Sequence, residues 1–162
     1  MARQVKVITA AEAAALIKNG DTVTTSGFVA SAIPEALDRA VEERFLATGE
    51  PRDITYVYCG SQGNKDGRGA EHFAHEGLLK RYIAGHWATV PALQKMALEN
   101  KMEAYNVSQG ALCHLFRDIA AHRPGCFTKV GLGTFIDPRN GGGKVMWQNQ
   151  ETPMFPAFQV QH

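Results

Sequence analysis

Short β-forming segments alternate with helical segments along this chain, and that alternation is the feature that most constrains its fold. Residues 54–59, Ile-Thr-Tyr-Val-Tyr-Cys, are apolar enough to form a strand buried on both faces of a sheet. Residues 35–48 carry a helical stripe of apolar side chains directly after Pro34, a residue suited to the first turn of a helix. Strands and helices in alternation predict an α/β fold, with an open, mainly parallel sheet flanked by helices.

The same patterning places each predicted element along the chain. Thr9 is followed three residues later by Glu12, which is the spacing of a capping box at the start of a helix. Strands are predicted at residues 5–8, 21–25, 54–59, 81–84, 102–107 and 127–132. Helices are predicted at residues 10–18, 35–48, 71–80, 90–100 and 109–122.

Composition excludes several classes of protein. The chain has 162 residues and a net charge of +1, which favours one domain and argues against a nucleic acid or membrane partner. No run approaches the ~18 apolar residues of a membrane helix, and the start does not resemble a signal peptide. The three cysteines lie far apart without a C-x-x-C pair, so we interpret them as buried, unreactive residues in a cytoplasmic protein.

Chemistry in an open parallel sheet gathers in the loops beyond the carboxyl ends of the strands, and here those loops are residues 26–32, 60–69 and 106–110. Small residues in the first loop allow a ligand to approach the backbone, and the helix that follows presents N–H groups to an anion. A plain strand-to-helix turn is the alternative. In the third loop Ser108 is suited to cap a helix, and Gln109 is either an oxyanion-stabilising amide or a solvent-facing side chain.

Two further motifs carry weaker signals. Residues 60–69 are rich in glycine but match neither a phosphate-binding loop nor a dinucleotide fingerprint, so they are interpreted as a surface loop unless the fold directs them to a site. His72 and His75 have a spacing that allows a shared metal ion, but no third ligand is evident. A polar face of the predicted helix is the other interpretation.

In their order, the motifs resemble family I coenzyme A transferases. The first part of the resemblance is Gly27-Phe28 followed by Ile33-Pro34-Glu35. The second part is the run Ser108-Gln109-Gly110-Ala111-Leu112, then Arg117, Pro124-Gly125 and Gly131-Leu132-Gly133-Thr134. Three segments are most similar to the acetate and propionate branch of the family: Gly85-His86-Trp87, Tyr105-Asn106-Val107 and Phe135-Ile136-Asp137-Pro138-Arg139.

The resemblance implies an open α/β transferase domain, one of two related halves, that moves CoA between an acyl-CoA and a short carboxylic acid. In that family a glutamate attacks the acyl-CoA and later carries CoA as a glutamyl thioester. Gln109 would contact the oxyanion. The residues implied to bind substrate are Ser26, Gly27, Phe28, Asn106 and Gly110. No metal and no permanently bound cofactor are implied, since the CoA thioester is a substrate.

The sequence departs from the family pattern in two places. Ser108 stands where the family often has proline, and either residue can open a helix. Motif matches end at Lys144, so we expect a partial transferase domain at residues 1–144 and a divergent tail at residues 145–162. The nucleophilic glutamate has no counterpart, and its role is not assigned to Glu35, Glu71 or Glu76. We therefore expect a chain that is inactive alone and that associates with itself or with a complementary second half or subunit.

Two other functions stay open at this point. A binding or regulatory module of the same fold would bind acyl-CoA, a carboxylate or a partner chain without chemistry. A sugar-phosphate isomerase would share a related architecture, but it needs a base and basic phosphate ligands in one cleft, and no clear set is found.

Overall fold

The computed structural model of the protein describes residues 5–143 and the backbone of residues 158–159. The helices are α1 (Ala10–Ala14), α2 (Glu35–Thr48), α3 (Pro91–Leu98) and α4 (Gln109–Ala120). The strands are β1 (Thr22–Val23), β2 (Ile54–Tyr58), β3 (Leu79–Ala84), β4 (Glu103–Asn106), β5 (Cys126–Phe127) and β6 (Phe158–Gln159). Short 3₁₀ turns lie at Ala70–Phe73 and Pro138–Asn140.

Four strands form an open sheet in the order β1-β2-β3-β4, and each neighbouring pair runs parallel. Tyr58 is paired with Ala84, and Ala84 is paired with Asn106, so the carboxyl ends of β2, β3 and β4 meet at one edge. The predicted α/β fold with an open parallel sheet flanked by helices is confirmed. Residues beyond these strand ends are therefore brought together, as the fold rule requires.

Alternate side chains of β2 enter different cores on the two faces of the sheet. Ile54 and Tyr56 pack among residues of α2, α3 and the first 3₁₀ turn, whereas Val57 packs with Leu112 and Leu115 of α4. All five side chains are buried. The strand is thus covered on both faces, which is the pattern that its apolar sequence predicts.

The predicted capping box at the start of α1 is confirmed, because Thr9 and Glu12 exchange side chain–backbone hydrogen bonds. The helix is shorter than predicted and ends at Ala14. The guanidinium of Arg44 on α2 donates to the carbonyl oxygens of Ala14 and Ile17, both at 2.7 Å. These tertiary bonds occupy carbonyls that a longer helix would use for its own N–H groups.

Two strand predictions are wrong in their extent. Residues 5–8 form no strand, because their backbone pairs with no described strand. The side chains of Val5 and Val7 are 83% and 92% exposed. The strand predicted at residues 127–132 is limited to β5, and the chain then turns at Gly131. β5 pairs in parallel with β6, which belongs to the predicted tail at residues 145–162. The rest of that tail lies outside the described residues.

The helix predicted at residues 71–80 is also wrong. The chain makes only the 3₁₀ turn at Ala70–Phe73 and then enters β3 at Leu79. Gly77 lies between them with a φ of +89°, which is incompatible with a right-handed helix. Leu78 and Leu79 are fully buried beside the sheet, so burial of these two side chains outweighs the helix propensity of the segment.

No helix in the described part of the chain combines the length and the hydropathy needed to cross a membrane.

An apolar groove of about 430 Å³ runs between α1, α2 and the outer strand β1. Its walls include Leu16, Ile17, Val23 and Val41. Asp38 of α2 also lines the groove, is only 1% exposed, and has no hydrogen-bond partner for either carboxylate oxygen within the described residues. Burial raises the pKa of this carboxyl to about 7, although the nearby His72 opposes the rise. The charged form of Asp38 is therefore a cost to the fold.

We predict that Asp38→Asn stabilises the protein at pH 8 by an amount on the order of a few kcal/mol. The raised pKa means that the folded state holds a proton more tightly than the unfolded chain does, so Asp38 costs no stability below its ordinary pKa of 3.8. The cost grows as the pH rises from about 4 to about 7 and is then constant, so the gain from the substitution should be present at pH 8 and small near pH 4. Urea denaturation at both pH values measures the difference.

The exposed Asp53 provides the matched control, and Asp53→Asn should show no pH-dependent gain. An equal effect of Asp38→Asn at pH 4 and pH 8 would contradict the assignment of the cost to a buried charge.

Candidate active site

The loops that follow β1, β2 and β4 converge at the carboxyl edge of the sheet. Gly60 lies at their centre: a β-carbon placed on it would lie 3.6 Å from Nε2 of Gln109 and 3.6 Å from Cε2 of Phe28. The amide of Gln109 and the ring of Phe28 thus border one hollow over Gly60. Gln109 is exposed and Phe28 is 60% exposed, so both are open to a ligand from solvent.

A close approach of backbones at Gly85 holds Gln109 in this place. Gly85 follows β3 directly, and a β-carbon there would collide with the carbonyl oxygen of Cys59 and would lie 2.8 Å from both Cα and Cβ of Gln109. Backbone atoms cannot move aside easily, so only glycine allows the first turn of α4 to lie against the end of β2. His86 N–H then donates to the carbonyl oxygen of Gly60 at 3.2 Å and ties the two loops together.

The loop that carries Phe28 is held by the buried side chain of Gln62. The Oε1 atom of Gln62 accepts hydrogen bonds from the hydroxyls of Thr25, at 2.6 Å, and Tyr56. Its Nε2 atom donates to the carbonyl oxygen of Ser26. Gln62 is fully buried, so this amide replaces the water that the backbone of the loop would otherwise bind.

Backbone hydrogen bonds complete the attachment of the same loop to the segment after β2. The N–H of Val29 donates to the carbonyl oxygen of Ser61 at 3.0 Å, and the N–H of Gly63 donates to that of Val29 at 2.9 Å. Phe28 and Ser31 exchange two bonds of 2.9 Å across a tight turn. The position of the Phe28 ring is therefore set by residues 60–63, so the interpretation of residues 60–69 as a plain surface loop is wrong for its first part.

Asn106 at the end of β4 and Gly110 in the first turn of α4 have different surroundings. Asn106 is half-buried, and its N–H donates to the carbonyl oxygen of Gly143 at 2.8 Å. Gly110 is exposed in the first turn of α4, and a β-carbon added there would meet no atom within 4 Å. Ser108 precedes α4 but makes no side-chain cap, contrary to the sequence-based expectation. Cys113 of the same helix is exposed, which corrects the prediction that all three cysteines are buried.

The two histidines of the candidate metal motif form a separate cluster with carboxylates of α2. His72 contacts Glu42 through Nδ1 at 2.5 Å and Glu35 through Nε2 at 2.9 Å, and His75 contacts Glu42 at 2.6 Å. Burial lowers the pKa of His72, but these carboxylates outweigh it and raise the pKa overall. Within residues 5–143, no three His, Cys, Asp or Glu side chains are arranged to hold a metal ion. The cluster ties the 3₁₀ turn to α2.

Comparison with known proteins shows the family to which the chain belongs. Residues 7–159 match the model of the family described as coenzyme A transferase. The chain belongs to the coenzyme A transferase family. Caffeate CoA-transferase of Acetobacterium woodii is 39% identical over 140 residues, covering 86% of this chain and 27% of that protein. Acetate CoA-transferase YdiF of Escherichia coli K12 is 37% identical over 144 residues, covering 88% of this chain and 27% of that protein.

The three-dimensional similarity to a coenzyme A transferase is close. The crystal structure of the acyl-CoA transferase YdiF apoenzyme from Escherichia coli O157:H7 superposes with a TM-score of 0.82 at 35% identity. The superposition covers 91% of this chain and 29% of that chain. A structure of the same enzyme, described as a thioester complex with CoA, superposes with a TM-score of 0.81. This chain thus has the coenzyme A transferase fold and spans about a quarter of the length of these relatives.

We predict that Gly85→Ala destabilises this transferase domain by about 1–3 kcal/mol, because the added methyl group forces β2 and α4 apart. Gly110→Ala is the matched control, since it adds the same methyl group on open helix surface. That variant should be neutral or stabilising by up to about 1 kcal/mol through its helix propensity. Chemical denaturation measures the free energy of unfolding of both variants, which are compared when their unfolding free energies depend equally on denaturant concentration. Equal stability of the two variants would show that the approach at Gly85 is not tight.

Proposed function

We propose that this chain is the amino-terminal part of a short-chain acyl-CoA:carboxylate CoA-transferase. In this proposal Gln109 and residues 26–28 form one wall of the acyl site. The observation that carries it is the convergence of the Gln109 amide and the Phe28 ring on Gly60, at the carboxyl edge of a coenzyme A transferase fold.

The reaction proceeds through covalent intermediates on a glutamate. Its carboxylate attacks the thioester carbonyl carbon, and the CoA thiolate leaves to give an acyl-glutamyl anhydride. The thiolate attacks the glutamyl carbonyl carbon and releases the first acid, which leaves a glutamyl-CoA thioester. The incoming carboxylate repeats these steps in reverse order and departs as the new acyl-CoA. Negative charge develops on a carbonyl oxygen in each step.

Gln109 is suited to stabilise that charge. Its amide presents N–H donors, and it is the first residue of α4, where backbone N–H groups point outwards. The partial positive charge of a helix start adds to the field that a developing oxyanion meets. Ser108 leaves these donors uncapped by its side chain, so they are available to a ligand.

Phe28 and its loop are suited to the acyl group. The exposed ring of Phe28 offers an apolar surface beside the Gln109 amide. The buried amide of Gln62 holds the loop in place through its hydrogen bond to the backbone. Acetate and caffeate appear in the names of the relatives, and they differ greatly in size. We therefore assign the acceptor only as a carboxylic acid of the short-chain class, in keeping with the motifs of the acetate and propionate branch.

The nucleophilic glutamate is proposed to come from a complementary second half or a second chain. Glu35 accepts from the N–H of Gly69 at 3.0 Å and contacts His72, so it holds structure together. Glu71 accepts from the N–H groups of Gly67 and Ala92 at 2.8 and 3.0 Å.

Two observations support this source of the glutamate. Two relatives are each named as one of the subunits of an enzyme, a probable succinyl-CoA:3-ketoacid coenzyme A transferase of Bacillus subtilis and an acetate CoA-transferase of Escherichia coli K12. In addition, the apolar groove beside β1, with Asp38 in its wall, favours a further covering element.

A chimera tests the proposal. Residues 7–143 of this chain would replace the matched segment of Escherichia coli acetate CoA-transferase, and transfer of CoA from acetyl-CoA to propionate would be followed by chromatography. We expect the chimera to turn over and the isolated chain not to do so. Sustained turnover by the isolated chain would refute the need for a second half. Binding of acetyl-CoA by a chimera without turnover would favour the alternative, a non-catalytic binding module.

In the chimera, Gln109→Ala should lower kcat by roughly 100-fold with a smaller change in KM, because an oxyanion donor acts chiefly in the transition state. Lys95→Ala on the exposed face of α3 is the control and should leave both constants unchanged. A kcat within about threefold of the parent would remove Gln109 from the catalytic machinery.

A further inference from the structure

The apolar groove between α1, α2 and β1 has an acidic wall. The charged residues that line it, Asp21 and Asp38, are both acids. The carboxylate of Asp21 accepts a hydrogen bond from the N–H of Lys18 at 2.8 Å. Asp38 is only 1% exposed, and neither of its carboxylate oxygens has a hydrogen-bond partner within residues 5–143. A buried carboxylate is stable when a cation or N–H donors pair with it, so the groove favours a cationic occupant.

Basic side chains near Asp38 are engaged with other partners. His72 lies close enough to act on the charge of Asp38. Both of its ring nitrogens contact other carboxylates, Nδ1 that of Glu42 and Nε2 that of Glu35. On α2 itself, the guanidinium of Arg44 donates to two backbone carbonyl oxygens. The cation that Asp38 lacks is therefore expected from another chain.

The outer strand β1 presents free backbone groups beside the same groove. β1 pairs with β2, and within residues 5–143 no strand lies on its other side. The carbonyl oxygen of Asp21 accepts from the N–H of Thr55 at 2.9 Å, so it points towards β2. Successive residues of a strand direct their backbone groups to opposite sides, so the N–H and C=O of Thr22 point away from β2. Such an edge pairs readily with an added strand.

We propose that the groove and the free side of β1 bind an extended segment of the complementary second half, and that a lysine or arginine of this segment pairs with Asp38. The segment adds a strand to the sheet, and the side chains on one of its faces enter the groove. Leu16 and Leu37, which are 70% and 43% exposed, are covered by it. The source of the segment rests on the proposed function, whereas its chemistry rests on the groove alone.

A peptide strand suits this surface better than a small amine or a second copy of the chain. A small amine could pair with Asp38 but would leave the backbone of Thr22 unpaired. A two-fold pairing of two β1 strands would place the same surface on both sides of the contact. It would therefore bring a second acidic wall and no cation.

The test measures binding of a synthetic peptide to the full chain at pH 8, above the pKa of about 7 of Asp38. The probe is acetyl-Thr-Val-Thr-Lys-Thr-Val-Thr-amide, in which the lysine shares one face with both valines. A control peptide has norleucine in place of lysine. Calorimetry should give a Kd lower by about tenfold or more for the lysine peptide. Asp38→Asn should remove this preference, and Asp53→Asn, which removes an exposed charge, should keep it.

Amide hydrogen exchange locates the bound peptide. The lysine peptide should slow exchange of the Thr22 N–H by about tenfold or more at saturation, because the added strand accepts its hydrogen bond. The N–H of Val23 points towards β2 and is the internal control. A second probe, n-hexylamine, carries the cation without a backbone, so it should leave exchange at Thr22 unchanged.

Equal affinity for the lysine and norleucine peptides would overturn the proposal, as would a lysine preference that survives in Asp38→Asn. Absence of binding at millimolar peptide would also overturn it. Slowed exchange at Thr22 with n-hexylamine alone, or in a dimer of the chain without peptide, would assign the surface to a different occupant. None of these measurements involves CoA transfer, so failure here leaves the proposed function standing, and an inactive chimera leaves this inference standing.

Discussion

The contact of α4 with the end of β2 across Gly85 is the constraint on which the rest of the site depends. Leu112 and Leu115 are fully buried against the sheet and fix the helix from its apolar face. Gly85 then sets how near the first turn of α4 comes to Cys59. The location of Gln109 is thus determined by backbone packing, and only the last torsions of its side chain stay free. A donor held in this way needs little reorganisation when charge develops nearby.

Much of the fold could be predicted from the sequence because its signals are local. The apolar run at residues 54–59 predicts a buried strand, and β2 is buried on both faces. Glu35–Thr48 is helical as its periodicity predicts, and Gly49 ends it in the left-handed conformation. The convergence of Phe28 with Gln109 follows from the carboxyl-end rule once the strands are known to be parallel.

Other features could not be predicted because they depend on tertiary partners. Gln62 is a polar residue in a glycine-rich loop, and only its partners Thr25, Tyr56 and Ser26 show why it is buried. His72 binds two carboxylates of α2 that lie 30 and 37 residues away, so its role is invisible in a local pattern. The available signal for Gln62 is its place in the loop after the buried strand β2, and that signal is weak.

A neutral amide suits the proposed reaction better than a cationic donor would. The nucleophilic glutamate and the acceptor acid are both carboxylates before the reaction, and the negative charge only moves to a carbonyl oxygen in the transition state. A lysine in the hollow would attract the ground-state carboxylates as well as the oxyanion, and such uniform binding does not raise kcat. An amide N–H distinguishes the oxyanion from the ground-state carboxylates through the position and direction of its hydrogen bond. The proposed role of Gln109 therefore depends on its placement, which the close approach at Gly85 restricts.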